Sequence, residues 1–288
     1  MKTIFSPKEL ADAIGVSESS LRRWIDDGKI PTSKTVGGHR RIALADAVRF
    51  VRESHATVVR PELLGLSELR RRQGDLAEDD RKLEAALVAG DVARARSLVL
   101  SWYLAGRSIP SLFDNPIRVA LHNIGELWQH SDQGILIEHR AVDVCLQVLN
   151  QLRDLVPPPA PQAPVALGAA PAGDPYLIPT MMASIVLADV GYLTINFGPE
   201  VPVPLLLEAA RAHRARLVWV SISTDLSLYS LKDQIEALAR DLAELGSRLV
   251  IGGRVSEPIR NELGDLVTGV RSMEELAAAG RRIGFGGG

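Results

Sequence analysis

One cysteine, Cys145, stands in a chain of 288 residues, which excludes an internal disulfide and any zinc site built from cysteines. The six histidines are scattered without metal-ligand spacing, so a conventional metalloenzyme is not expected. There is no apolar run of about eighteen residues and no secretory leader pattern. A soluble, cytoplasmic protein with no membrane partner is therefore expected. The chain also lacks a strong net charge, at −2, although its charge is not evenly spread. Residues 1–60 carry eleven Lys/Arg against seven Asp/Glu, a net of +4, so the basic charge is segregated at one end. Such segregation is what counterion release asks of a DNA-binding module. Length and apolar content allow two or three domains with sizeable cores.

What is present begins with Ser6-Pro7-Lys8-Glu9. A serine cap, a proline at the first helical position and a carboxylate three residues beyond the cap open a helix with Leu10, Ala13 and Ile14 inward. Gly15-Val16-Ser17 then turns the chain, and Ser17 is placed to cap a second helix over about Glu18 to Asp27. Leu21, Trp24 and Ile25 pack inward on that helix. Ser19, Ser20, Arg22 and Arg23 are left to meet a major groove and its phosphates. The run Thr35 to Ile42 reads as two short strands around Gly37-Gly38, presenting His39, Arg40 and Arg41 at an exposed tip. Such a tip suits a phosphate backbone or a minor groove. A further amphipathic helix, about Leu44 to Glu53, packs through Ala47, Val48 and Val51.

After a connector near His55 to Leu69, the stretch from about Glu78 to Asp154 is strongly helical, with breaks at Gly90-Asp91 and at Gly106 to Pro110. A third helix is expected over Leu112 to His130 and a fourth over Gln133 to Asp154; short connections make a four-helix bundle the natural packing. Val156 to Pro164 is a stiff proline-rich linker that suits neither helix nor central strand. Beyond it strands and helices alternate: strands at Val165–Ala169, Tyr192–Asn196, Leu217–Ser223 and Arg248–Gly252, helices at Thr180–Val190, Pro204–His213, Leu231–Leu245 and Ser272–Arg282. That alternation implies a parallel sheet wrapped by helices, with ligands beyond the carboxyl ends of its strands.

The N-terminal stretch Thr3 to Glu53 resembles the MerR family of winged-helix regulators, most specifically in Ser-Leu-Arg-Arg-Trp followed by Gly-Gly-His-Arg-Arg. With the bundle and the alternating segment behind it, the chain resembles the cobalamin-dependent photoreceptor regulators of the CarH and LitR type. The fold implied is multi-domain: an all-α winged helix-turn-helix reader (1–55), a four-helix bundle cap (76–155), a linker (156–164) and an α/β Rossmann-like, cobalamin-binding-type domain (165–288). In that family a tryptophan, nine intervening residues and Glu-His cap a corrin from above; here Trp128 and Glu138-His139 stand at that spacing. Read without the family, the same residues are equally a core tryptophan, a satisfied histidine and a solvated carboxylate.

The resemblance also places Ser221, Ser223, Gly252 and Gly253 near a bound ligand, although such glycines serve ordinary turns as well. One departure is larger than these agreements. The family's Asp-x-His-x-x-Gly, whose histidine ligates cobalt from below, stands here as Asp174-Pro175-Tyr176-Leu177-Ile178-Pro179. Tyr176 is a poor cobalt ligand at neutral pH because a phenol loses its proton near pH 10, and Pro179 is expected to stiffen the loop. Three readings stay open: a corrinoid without a lower protein ligand, another tetrapyrrole such as a bilin or haem, or no cofactor. Tyrosine can ligate haem iron. Cys145, seven residues after Glu138 on the same helix face, could tether a bilin, although a lone helical cysteine is usually inert core.

The function implied is a non-enzymatic transcriptional regulator, a repressor of operator DNA. Its C-terminal half would sense light or a tetrapyrrole and control homo-oligomerisation. The alternatives are a ligand-independent regulator governed by a protein partner, and a corrinoid-carrying methyltransferase component.

Overall fold

A computed structural model of the chain describes residues 3–64, 66, 76–128, 132–224 and 228–286. Part of the connector after His55, and the turn joining the third and fourth expected helices, lie outside the described residues. The chain divides into two compact units: Met1–Ser108 with Asn115–Leu155, and Ile109–Asp114 with Val156–Gly288.

In the first unit, β1 (Ile4–Phe5), β2 (Ser33–Lys34) and β3 (Arg40–Ala43) form a small antiparallel sheet in the order β1-β3-β2. Around it lie α1 (Pro7–Ile14), α2 (Glu18–Asp26) and α3 (Leu44–Glu53). Ser6 accepts from the Glu9 amide while the Glu9 carboxylate accepts from the Ser6 amide, closing the expected capping box. Gly15 ends α1 at φ 71°. A Cβ there would also lie 2.9 Å from Val59 Cγ2, because the strap at Val59 and Arg60 hydrogen-bonds back to the Ala13 carbonyl. Phe5, Leu10, Leu21, Ile30, Ile42 and Val48 form the buried centre, with Trp24 tilted against Phe50 at 5.2 Å. The hairpin turn spans Thr35 to His39, five residues rather than a tight glycine pair. The Thr35 amide donates to the His39 carbonyl at 2.9 Å and Gly38 takes φ 76°.

The same unit contains α4 (Leu76–Ala89), α5 (Val92–Leu104), α7 (Arg118–Trp128) and α8 (Asp132–Leu155), which pack against one another. Their apolar stripes, among them Leu83, Leu87, Leu98, Ile124, Val148 and Leu152, are buried. The expected third helix, Leu112 to His130, is shorter than its apolar pattern suggested. A short α6 (Ile109–Leu112) and a wide turn at Phe113–Ile117 precede α7, and Asn115 is extended there (φ −151°, ψ 125°) ahead of Pro116. Helix α3 docks on this helical set through Arg52. Its guanidinium lies 3.8 Å over the Tyr103 ring and donates to the carbonyls of Tyr103 and Arg107, the latter at 3.0 Å.

The second unit is a five-stranded parallel sheet in the order β5-β4-β6-β7-β8, with β4 (Val165–Ala169), β5 (Leu193–Asn196), β6 (Leu217–Ser221), β7 (Arg248–Gly252) and β8 (Thr268–Gly269). The helices are α9 (Leu177–Val190), α10 (Leu205–His213), α11 (Leu228–Glu244), α12 (Glu257–Leu263) and α13 (Met273–Phe285). One sheet face packs Leu167, Val218, Val220 and Ile251 against residues of α10, α11 and α12, including Leu206, Ile235, Leu238 and Ile259. α9 and α13 pack together, and both contact the sheet. Order reverses at β4, which feeds outward to β5 while β6 lies on its other side, so the carboxyl ends of β4 and β6 flank the crevice where such sheets hold ligands. α12 and β8 were absent from the sequence-based reading. α9 starts at Leu177, three residues earlier than expected, so Pro179 sits in a helical first turn, where its missing N–H removes no hydrogen bond. Asp114, on the segment that belongs to this unit, caps α13 by accepting from the amides of Met273 and Glu274 at 2.9 and 3.1 Å.

Candidate functional site

Helix α2 and the turn between β2 and β3 face each other across an open groove of about 550 Å³, lined among others by Ser6, Glu18, Arg22, Asp26, His39 and Arg40. Ser17 caps α2, its hydroxyl 3.1 Å from the Ser20 amide and 2.9 Å from the hydroxyls of both Ser19 and Ser20. Two serines and the helix N-terminus are thereby gathered at one end, a favourable place for a phosphate oxygen. Arg22 and Arg23 are exposed one turn further on, His39 is exposed on the hairpin turn, and Arg40 and Arg41 leave β3 half-buried. All seven residues expected to read DNA therefore lie on α2 or on the turn and strand facing it.

Two of the cations are held by carboxylates. Arg22 pairs with Glu18 at 2.7 Å on its own helix, and Arg40 pairs with Asp26 at 2.7 Å across the groove. Both are solvent-exposed pairs of the kind worth little in isolation. A phosphate can replace the carboxylate at small cost, and the bound cations are meanwhile held at the groove. The sequence-based reading missed this pairing; the signal was Asp26-Asp27 closing a helix whose basic face looks at a basic turn.

On α8, Glu138 is half-buried and the His139 ring is 73% exposed. His139 Nδ1 lies 2.8 Å from the Ile135 carbonyl, to which it donates in the tautomer protonated there, and 3.1 Å from Glu138 Oε2. Ile135 and Leu136 are exposed on the same two turns. Trp128 is the last residue of α7, and its side chain lies outside the described residues. Cys145 is fully buried among the helices, and burial pushes its thiol up to about 12. At neutral pH it is neither thiolate nor accessible, which removes it as a covalent tether.

In the α/β unit, Asp174 has no exposed surface, and both of its oxygens are used. Oδ1 accepts from the Tyr176 amide at 3.1 Å; Oδ2 accepts from the amides of Ser223 and Thr224 at 2.5 and 3.2 Å. One carboxylate thus ties the loop after β4 to the loop after β6. Tyr176 itself points outward, 42% exposed, beside an exposed Leu177. Ser221 and Ser223 are buried at the end of β6, and the Ser223 carbonyl accepts from the Arg254 guanidinium at 3.0 Å. Gly252 and Gly253 close β7. A Cβ on Gly253 would stand 2.3 Å from the Ile222 carbonyl oxygen and one on Gly252 3.0 Å from Val270, so the room at both is taken by the protein's own atoms.

One row across the sheet was not foreseen. Gly168 of β4 is in register with Asn196 of β5 on one side and Trp219 of β6 on the other. The indole is 2% exposed, and its Nε1 donates to Thr180 Oγ1 of α9 at 2.9 Å; Thr180 donates in turn to Asn196 Oδ1 at 2.9 Å. A Cβ on Gly168 would lie 2.3 Å from the indole ring. Glycine on β4 is what admits a tryptophan from the neighbouring central strand.

Among the described residues no group of three or more His, Cys, Asp or Glu side chains is placed to hold a metal ion, and no helix is long and apolar enough to cross a membrane. Residues 4–55 match the family described as a helix-turn-helix domain, and residues 80–153 match the family described as a B12 binding domain. Among curated proteins none matches this chain. Among solved structures it is similar to the monomethylamine corrinoid protein of Methanosarcina barkeri, at 20% identity and TM-score 0.55 over 71% of this chain and 98% of that one. It also aligns with the methanol:cobalamin methyltransferase complex of the same organism, at 17% identity over 80% and 85% of the two chains, and with a cobalamin-binding protein of Desulfitobacterium hafniense, at 17% over 72% and 98%. Both of those alignments have a TM-score of 0.36. The first shows a shared fold: this chain joins a helix-turn-helix domain to a B12-binding-type helical domain and a parallel α/β sheet.

Proposed function

We propose that the protein is a DNA-binding transcriptional regulator in which residues 1–55 are a MerR-type winged helix-turn-helix reader and the remainder sets how that reader is presented. The observation that carries this reading is the groove between α2 and the hairpin, with Arg22, His39 and Arg40 on its walls and two carboxylates that phosphates can displace. In this reading α2 enters the major groove through Ser19, Ser20, Arg22 and Arg23. The hairpin is the wing, and it follows the backbone through His39, Arg40 and Arg41. Residues 76–155 and 165–288 form the regulatory half on either side of the 156–164 linker, in the arrangement of the CarH type, acting as a repressor whose assembly as a homo-oligomer changes the number of readers on an operator.

The two matched domains support a cobalamin-type regulator in outline. The α/β unit's own residues do not fit a corrinoid ligated from below. Tyr176 stands outward, Asp174 is consumed by three backbone amides, and the space between β4, β6 and α9 holds the Trp219 indole. A tetrapyrrole held against exposed side chains alone, such as Glu138 and His139, remains one form of the sensor reading. Control by a protein partner without any cofactor is the second reading, and the filled interior favours it. A methyltransferase carrier is the weakest fit, having no use for the reader.

Fluorescence anisotropy of the full chain with the DNA upstream of its own gene, against random competitor at two salt concentrations, tests the regulator. Specific binding that weakens steeply with salt is expected, and no preference for any promoter fragment ends the reading. An absorption spectrum of the purified protein before and after illumination then divides the sensor from the partner-controlled form. A visible band favours the sensor; a colourless protein favours the partner.

A further inference from the structure

A cobalamin placed at the carboxyl rim of a parallel sheet has to put its benzimidazole nucleotide somewhere. The base either stays on cobalt, or it leaves cobalt and is threaded down between the sheet and a covering helix. The second arrangement needs a slot deep enough for a fused six-five aromatic ring, walled by small residues and offering a hydrogen-bond partner to a ring nitrogen.

In this chain the corresponding row of the sheet has such walls. Gly168 supplies the flat floor, Thr180 the hydroxyl at the helix side, and Asn196 the amide that orients it. The slot is nevertheless full, because an indole is itself a fused six-five ring with one N–H, and Trp219 places its own ring over Gly168 with that N–H on Thr180. The rim above is closed as well. Asp174 joins the two loops that would have to part, and α9 begins at once with Leu177. The acceptor side of the row is occupied too, since Thr180 Oγ1 accepts from the indole and Asn196 Oδ1 accepts from both Thr180 and the Gly198 amide.

We propose that Trp219 is a built-in occupant of this slot, so that the α/β unit takes no corrinoid with its base extended, and that deleting the indole converts the slot into a site for a free benzimidazole. This goes beyond the regulator reading and does not depend on DNA binding, so operator binding measured on the same preparation separates the failure of one from the failure of the other.

The test uses the full chain. Dialysed against aquocobalamin, the wild-type protein is expected to retain no cobalamin, or to retain it only with the spectrum of the base-on form; retention with a base-off spectrum overturns the proposal. In Trp219→Gly, millimolar benzimidazole is expected to raise Tm by about 5 °C, with a shift at least fivefold smaller in wild type and in Trp219→Phe. A folded Trp219→Gly that ignores benzimidazole overturns it. If that variant does not fold, Trp219→Ala, which restores a Cβ to the strand while leaving the slot empty, takes its place with the same two outcomes. Thr180→Val in the Trp219→Gly background is expected to reduce the benzimidazole shift, because the hydroxyl that served the indole is gone; an unchanged shift places the guest outside the slot and overturns the proposal too.

Discussion

The reader and the α/β unit dispose of their polar groups in opposite ways. Around α2 the cations are exposed or lightly paired, and each pair, Arg22–Glu18 and Arg40–Asp26, lies in solvent where a stronger anion displaces the carboxylate. In the α/β unit the groups around the β4 and β6 ends are largely buried and closed on the protein itself, although Thr224 Oγ1 is buried with no hydrogen-bond partner among the described residues. Asp174 is spent on backbone amides, Thr180 on Trp219 and Asn196, and the backbone amide and carbonyl of Ser223 on Asp174 and Arg254. A surface meant for a ligand keeps hydrogen-bonding capacity that the folded chain does not consume, and by that criterion the reader is the open site.

The sharpest way to break this comparison is to remove the open charges. Arg40→Ala with Arg41→Ala is expected to lower operator affinity by about 10- to 100-fold at moderate salt, and to reduce the slope of log K against log salt by about 1 to 2 if each arginine faces one phosphate. Unchanged affinity and slope would remove the hairpin from the DNA interface.

The next effect is on stability rather than binding. Arg52 joins α3 to α5 and the turn after it by stacking on Tyr103 and donating to two carbonyls. Arg52→Ala loses the cation–π contact and strands both carbonyl acceptors, a cost of about 2 kcal/mol. Chemical denaturation of the full chain measures it, and a loss below about 0.5 kcal/mol would mean that water replaces the guanidinium without penalty. Nearby, Arg107 and Asp79 form a buried pair at 3.2 Å, yet desolvation raises the Asp79 carboxyl above its ordinary range and lowers the Arg107 guanidinium below its own. The raised carboxyl has a simple sign. The folded state holds the proton more tightly, so this group's contribution falls as pH rises through the interval just above 3.8.

How much of this was legible in the sequence follows from the range of each interaction. The capping box at Ser6 and Glu9, the Gly15 turn and the faces of α2 are set within four residues, and they stand as read. The parallel sheet followed from alternation of period-2 and period-3.6 patterns, which needs only local periodicity. Helix starts at Leu177 and Arg118 were misplaced because Pro179 and Pro116 each suit a loop and a helix's first turns alike. What escaped entirely was register. Gly168, Thr180, Asn196 and Trp219 are spread over about fifty residues, and no local pattern says that glycine faces tryptophan until β4 and β6 are paired. The Asp26–Arg40 pair joins a helix end to a strand, and only the acidic close of α2 signalled it.

That pair gives the smallest and most discriminating prediction. Asp26 lies at the end of α2, and its carboxylate holds Arg40 in the groove at 2.7 Å with 60% of its own side chain exposed. If the pair is only a placeholder for phosphate, Asp26→Asn removes a like charge from the DNA's approach and releases Arg40 to the backbone, and operator affinity is expected to rise about two- to fivefold with little change in stability. If the carboxylate instead fixes Arg40 in its binding geometry, the same change lowers affinity. The direction of the change in an anisotropy titration at a single salt concentration decides between the two, and a fall would mean that the reader, like the α/β unit, depends on contacts the protein makes with itself.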